Sequence, residues 1–217
     1  MNRLTTSNVV PRIAESASLS GKKVLEVGCG KGFRTAELLR YCSSLVAIDP
    51  DKGAIAWATT GKWPETVAFQ VGSITDPMFP KASFDVVIFT LSLHHIPEAH
   101  MGLAIHNAVS VLKPEGKIVF LEPGSEGSLL EAELLFGAGD GDERTQRNFA
   151  YEVMTTHPRL SFRKEFYEEE RFRYPNIRLF REHLTPKLGG IEEWLRFLVK
   201  HNLELTAKRR VDIFGVK

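Results

Sequence analysis

The chain has 217 residues, with 28 Lys and Arg against 27 Asp and Glu, for a formal net charge of +1. That balance argues against a nucleic-acid partner, whose affinity would come largely from neutralised phosphates, and the one basic cluster, Lys208-Arg209-Arg210, is short. Apolar residues at 43% and charged residues at 25% exclude a disordered chain and suit one globular domain.

Cys29 and Cys42 form neither a CxxC pattern nor a disulfide framework, so reduced thiols in a cytoplasmic protein are expected. Met1 to Ser20 holds no continuous apolar stretch of the export-signal kind. No later run approaches the ~18 apolar residues of a membrane helix. A membrane is therefore not expected as a partner.

In chain order, Lys23–Val27 reads as a strand, Phe33–Tyr41 as a helix and Ser44–Ile48 as a second strand, a β–α–β unit of the kind that builds parallel sheets. A helix over Lys52–Thr60 and a strand over Val67–Val71 follow. Phe84–Leu91 is almost uninterrupted apolar sequence, as in a central strand buried on both faces. Met101–Leu112 has helical spacing, and Lys113-Pro114-Glu115-Gly116 stops it and turns into the strand Lys117–Leu121. Beyond Pro123 the pattern predicts helices at Leu129–Phe136 and Glu143–Thr155, and a long outer strand over Arg159–Tyr174. Two further helices near Ile177–His183 and Ile191–His201 precede a terminal strand from Leu203 to Val216. The aromatic set Phe149, Tyr151, Phe162, Phe166, Tyr167 and Tyr174 reads as core packing or an acceptor wall, and Glu168-Glu169-Glu170 with Arg171 and Arg173 as a solvated face.

Glu26-Val27-Gly28-Cys29-Gly30-Lys31-Gly32 follows a strand and opens a helix, the setting in which a glycine loop admits a ligand. A dinucleotide fold prefers G-x-G-x-x-G, whereas this loop is an acid followed by G-x-G-x-G. Asp49 ends the second strand 21 residues beyond Gly28, where a carboxylate can accept two ribose hydroxyls. It could equally cap the helix that follows Pro50. Glu26 could instead be a structural acid.

These residues, with Gly72-Ser73-Ile74, Phe84 to Ile96 and Leu112-Lys113-Pro114-Glu115-Gly116, resemble in order the motifs of class I S-adenosylmethionine-dependent methyltransferases. The likeness spans roughly residues 20 to 123 and is closest to the type-11 group. Ser73 stands where that family commonly has Asp, and Glu115 where it has glycine. The resemblance implies a Rossmann-like, doubly wound, mostly parallel seven-stranded sheet with an antiparallel last strand and a helical lid insertion. It implies one methyltransferase domain over 1–217: an N-terminal lid or helix (1–22), a cofactor-binding core (23–123), a lid and substrate-side insertion (124–202) and a terminal strand (203–217).

It further implies S-adenosylmethionine as cofactor and S-adenosylhomocysteine as product, with contacts from Glu26, Gly28, Cys29, Gly30, Gly32, Asp49, Pro50, Ser73, Ile74 and Thr90. Glu26 would meet the ammonium group and Ile74 the adenine. His94 and His95 stand just past the fourth strand; one could serve as general base, or both could fix the loop. Adjacent residues on extended chain point opposite ways, so only one would face an acceptor. No histidine pairing suggests a metal. The expected activity is methyl transfer to a small-molecule O, N or C nucleophile. A binding protein for the same ligands without methyl transfer is the alternative. No N-P-P-Y-like segment follows strand four, which disfavours amino groups of nucleobases or glutamine. The oligomeric state is not readable from the sequence.

Overall fold

The computed structural model describes residues 4–76 and 78–217. Its strands are β1 (Leu4–Thr6), β2 (Lys23–Val27), β3 (Ser44–Asp49), β4 (Val67–Val71), β5 (Phe84–Thr90), β6 (Leu112–Pro123), β7 (Leu160–Arg173) and β8 (Glu204–Val216). The helices are α1 (Val9–Ala17), α2 (Phe33–Leu38), α3 (Lys52–Ala58), α4 (Glu98–Val111), α5 (Ser128–Phe136), α6 (Arg144–Thr156), α7 (Ile177–Leu184) and α8 (Ile191–Lys200). Residues Leu93–His95 add one turn of 3-10 helix.

The apolar run at Phe84 does become a central strand: every residue of β5 except Asp85 is buried. Parallel pairing joins β2 to β3 and to β5, β3 to β4, and β5 to β6. The strand order is β1-β7-β8-β6-β5-β2-β3-β4. Chain progression therefore runs outward from β2 in one direction through β3 and β4, and in the other through β5 and β6. Ligands of open α/β sheets bind at the carboxyl ends of the strands beside such a switch point. The terminal strand is antiparallel to β7, because Lys217 N–H donates to Arg159 at one end and Tyr174 N–H to Leu203 at the other.

The sheet has eight strands rather than the seven expected. The extra one, β1, is three residues that pair antiparallel with Arg171–Arg173. Leu-Thr-Thr is too short for periodicity to reveal. The expected Lys113–Gly116 turn lies within β6, as an irregularity between the pairs Phe84/Leu112 and Val86/Lys117 where Glu115 has φ 63°.

The chain divides into two compact units. One comprises residues 10–122, 146–166 and 210–217. Its core packs Leu25, Val87, Phe89 and Ile118 of the sheet with Met101, Ala104, Ile105 and Ala108 of α4 and Met154 of α6. Each fully buried large aliphatic or aromatic side chain there contributes roughly 1.5–3 kcal/mol. Here Asp212 is buried and bonded by Arg210, whose guanidinium lies 3.5 Å from the Tyr151 ring centroid.

The other unit comprises, among the described residues, 4–9, 123–145 and 167–209. Its core unites Leu129 and Phe136 of α5, Phe172, Tyr174, Phe180 and Leu184, and Trp194, Phe197 and Leu198 of α8. Glu170 is 0% exposed, and Arg209 donates to its carboxylate, so the expected solvated run of acids includes a buried ion pair. The basic cluster is consumed likewise: Lys208 pairs with Glu126, Arg209 with Glu170, and Arg210 with Glu165 and Asp212. Of the aromatic set, Phe166 and Tyr174 are buried, Phe149 is half-buried, and Tyr151, Phe162 and Tyr167 are exposed. Among the described residues, no helix is long and apolar enough to cross a membrane.

Candidate functional site

The carboxyl ends of β2, β3, β4 and β5 surround a cavity of about 350 Å³, lined by Val27, Gly28, Gly30, Ile48, Asp49, Pro50, Gly72, Ser73, Ile74, Leu91, Ser92, His95 and Ile96. Six of the cofactor contacts expected from the sequence stand on that wall: Gly28, Gly30, Asp49, Pro50, Ser73 and Ile74. His95 joins them. Glu26, Cys29, Gly32, Thr90 and His94 do not line it.

The three loop glycines differ in purpose. Gly28, Gly30 and Gly32 have φ of +76°, +51° and +78°, the left-handed region that side chains disfavour. A Cβ on Gly28 would overlap Ser92, and one on Gly32 would press on the Phe69 ring at 3.2 Å. A Cβ on Gly30 would meet nothing within 4 Å, because it would project into open space. Protein packing thus requires Gly28 and Gly32, whereas Gly30 leaves the cavity clear.

Asp49 ties two loops to the cavity floor. One carboxylate oxygen accepts the Gly30 N–H at 2.7 Å and the other the Asp51 N–H at 2.9 Å. The cap of α3 is Asp51, which accepts from Gly53 and Ala54 N–H, so Asp49 does not take the capping role open to it in the sequence. Its remaining lone pairs are left for a ligand. Ser73 bonds the Thr75 hydroxyl at 2.7 Å, and Asn107 of α4 donates to the carbonyls of Ile74 and Thr75, fixing that wall.

Glu26 lies inside the protein, 0% exposed, and accepts from the Thr35 hydroxyl at 2.6 Å and the Thr90 hydroxyl at 3.0 Å. It is held by hydroxyls rather than by loop amides, and its carboxyl does not reach the cavity wall. Burial pushes that carboxyl up to about 7, against the lowering effect of the two hydroxyl bonds. A raised folded-state value means stability that is present below the unfolded pKa and lost as pH rises through the folded one. We therefore expect unfolding free energy to fall between about pH 4.5 and 7, with Glu26 contributing on the order of 2–3 kcal/mol of that loss. Urea titrations of wild type and Glu26→Gln across this window check it; parallel slopes for the two proteins would refute it.

The two histidines part company on the 3-10 turn rather than on extended chain. His94 is 4% exposed, and its Nδ1 bonds the buried Glu122 carboxylate, which also accepts the Leu93 N–H at 3.0 Å. His95 is exposed on the cavity wall, its ring centroid 4.1 Å from that of His94. Leu91 and Ser92 fall inside the family-like segment Phe84–Ile96, but sequence reasoning did not single either out as a contact. Leu91 has φ 55°, and it delivers Ser92, whose hydroxyl bonds the Val27 carbonyl at 2.7 Å across the floor of the glycine loop. The available signal was position alone, directly after the carboxyl end of a doubly buried strand.

A glycine loop and an acid on successive strand ends, beside the switch point of a parallel sheet, form the arrangement in which many α/β proteins hold nucleotide-like ligands. Residues 25–120 match the family model described as "Methyltransferase domain". The chain is 34% identical over 111 residues to a ubiquinone biosynthesis O-methyltransferase of Nitrosococcus oceani, covering 50% of this chain and 46% of that protein. It is 28% identical over 149 residues to a phthiotriol/phenolphthiotriol dimycocerosates methyltransferase of Mycobacterium leprae, covering 68% and 54%. The fold is shared with an N-methyltransferase of Bradyrhizobium japonicum solved with S-adenosylhomocysteine (TM-score 0.59, 19% identity, covering 96% of this chain and 84% of that one). The family-model match runs from within β2 to within β6 and takes in every residue that lines the cavity. It spans about half the length of the first curated relatives it matches.

Proposed function

We propose that this protein binds S-adenosylmethionine in the cavity at the switch point and transfers its methyl group to a small-molecule O, N or C nucleophile, leaving S-adenosylhomocysteine. The observation that carries the reading is the convergence of Gly28–Gly30, Asp49 and Ser73–Ile74 on a single cavity wall. The residues suit the group: Gly30 offers open space where a side chain would intrude, Asp49 has unused acceptor capacity for vicinal hydroxyls, and Ile74 offers an apolar face. Glu26 differs from Asp49 in being fully buried behind the cavity wall, where it accepts from Thr35 and Thr90; we assign it to holding β2, β5 and α2 together beneath the loop.

When bound, the cofactor supplies an electrophilic methyl on a sulfonium that is already a good leaving group. The chain's task is then alignment and exclusion of water. His95, on the cavity wall, would take a proton from an acceptor at a ring nitrogen, while Glu122 bonds His94 on the same turn. The relatives' names, O- and N-methyltransferases among them, support a small-molecule acceptor, as does the internal pairing of the basic cluster. The free thiols Cys29 and Cys42 support a reducing, cytoplasmic setting.

Calorimetric titration with S-adenosylmethionine, S-adenosylhomocysteine and NADH tests the site. Micromolar binding of the first two, without NADH, is the expected result, followed by transfer of labelled methyl to members of a small-molecule panel. No heat with either adenosyl ligand would refute the site. Binding with no transfer to any acceptor would favour a ligand-binding protein without turnover.

A further inference from the structure

Helix α8 buries Trp194, Phe197 and Leu198 in its own unit, yet keeps a second apolar row exposed. Ile191, Leu195 and Val199, spaced four residues apart, are 55%, 44% and 61% exposed. Leu188, on the turn at the amino end of the helix, is exposed as well. Residues at this spacing form one stripe along a helix, and contiguous exposed apolar surface of this kind marks an interaction site.

The flank of the stripe says what covers it. Glu192 and Arg196 share one side of the helix, both exposed, and among the described residues neither has a hydrogen-bond or ion-pair partner. The other charges at the helix ends are engaged: Glu193 accepts the Gly190 N–H, and Lys200 pairs with Glu131. We propose that the face is covered by a second copy of this chain, through antiparallel pairing of α8 with its counterpart about a two-fold axis at Leu195. A two-fold interface must be complementary to itself. This stripe is: centred on Leu195, Ile191 of one copy meets Val199 of the other, and the shared flank sets Glu192 against Arg196 of the other copy twice over. A lipid surface would call for a basic flank instead, and this flank carries one charge of each sign.

Sedimentation of the purified chain up to about 0.2 mM, well above the micromolar range in which small interfaces associate, tests the pairing. Wild type should pass from monomer to dimer as concentration rises. Leu195→Glu, at an exposed position, should abolish the dimer with an unchanged circular dichroism spectrum. Glu192→Lys and Arg196→Glu should each weaken association by about tenfold or more, because each sets like charges face to face. The double variant Glu192→Lys/Arg196→Glu should restore it, since the reversed pair is again self-complementary. A wild-type monomer throughout, including one that pellets with anionic vesicles instead, would overturn the proposal. A dimer that ignores all three single substitutions would overturn it equally.

Discussion

Gly28→Ala is expected to cost about 3 kcal/mol or more of stability, while Gly30→Ala, two residues on, costs only about 1–2 kcal/mol. Both positions are left-handed, so both variants carry the backbone penalty. At Gly28 the new methyl group also overlaps Ser92, whose hydroxyl is committed to the Val27 carbonyl and whose backbone follows the constrained Leu91. Neither side of that contact can yield without disturbing β2 or β5. At Gly30 the methyl group enters empty space, and that space is the proposed ligand site. Thermal unfolding should thus lower the midpoint by roughly 6–12 °C for Gly28→Ala and by no more than half as much for Gly30→Ala. Affinity for S-adenosylhomocysteine should reverse the emphasis, with folded Gly30→Ala losing about tenfold or more. Normal binding by a folded Gly30→Ala protein would remove the glycine loop from the ligand's path.

Asp49→Ala should weaken S-adenosylhomocysteine binding by about 1–3 kcal/mol, the scale of hydrogen bonds to a charged group. Two routes lead to that loss. The carboxylate could accept the ribose hydroxyls directly, or it could act only by holding the Gly30 and Asp51 amides. A double-mutant cycle with an analogue lacking the ribose hydroxyls separates them. Direct contact predicts that removing the hydroxyls weakens binding to wild type but costs Asp49→Ala almost nothing more. If the two losses simply add, Asp49 is confined to positioning the loop.

Much of the site was legible because its chemistry is local. The glycines had to follow a strand and open a helix, and Asp49 had to end the next strand, so both could be found by spacing along the chain. What spacing could not supply was direction. Glu26 sits two residues before the first glycine, as acids at ligand sites do, yet its carboxyl is buried and accepts from Thr35 and Thr90. Those hydroxyls lie 9 and 64 residues away along the chain, and no local pattern announces them. His94 and His95 are likewise equivalent as letters; Glu122, 28 residues on, selects which is buried. The run Glu168-Glu169-Glu170 looked uniformly solvated until Arg209, on the neighbouring strand, drew Glu170 inside.

By itself, then, the sequence determined the α/β alternation, the doubly buried central strand, the glycine loop and the acid after it. Each depends on periodicity or turn chemistry within a dozen or so residues. Only the tertiary structure decided which of the candidate residues share the cavity, that the basic cluster is neutralised within the fold, and that β1 adds an eighth strand. Those outcomes rest on burial and on pairings between distant segments. Their energies exist only once the chain has closed on itself.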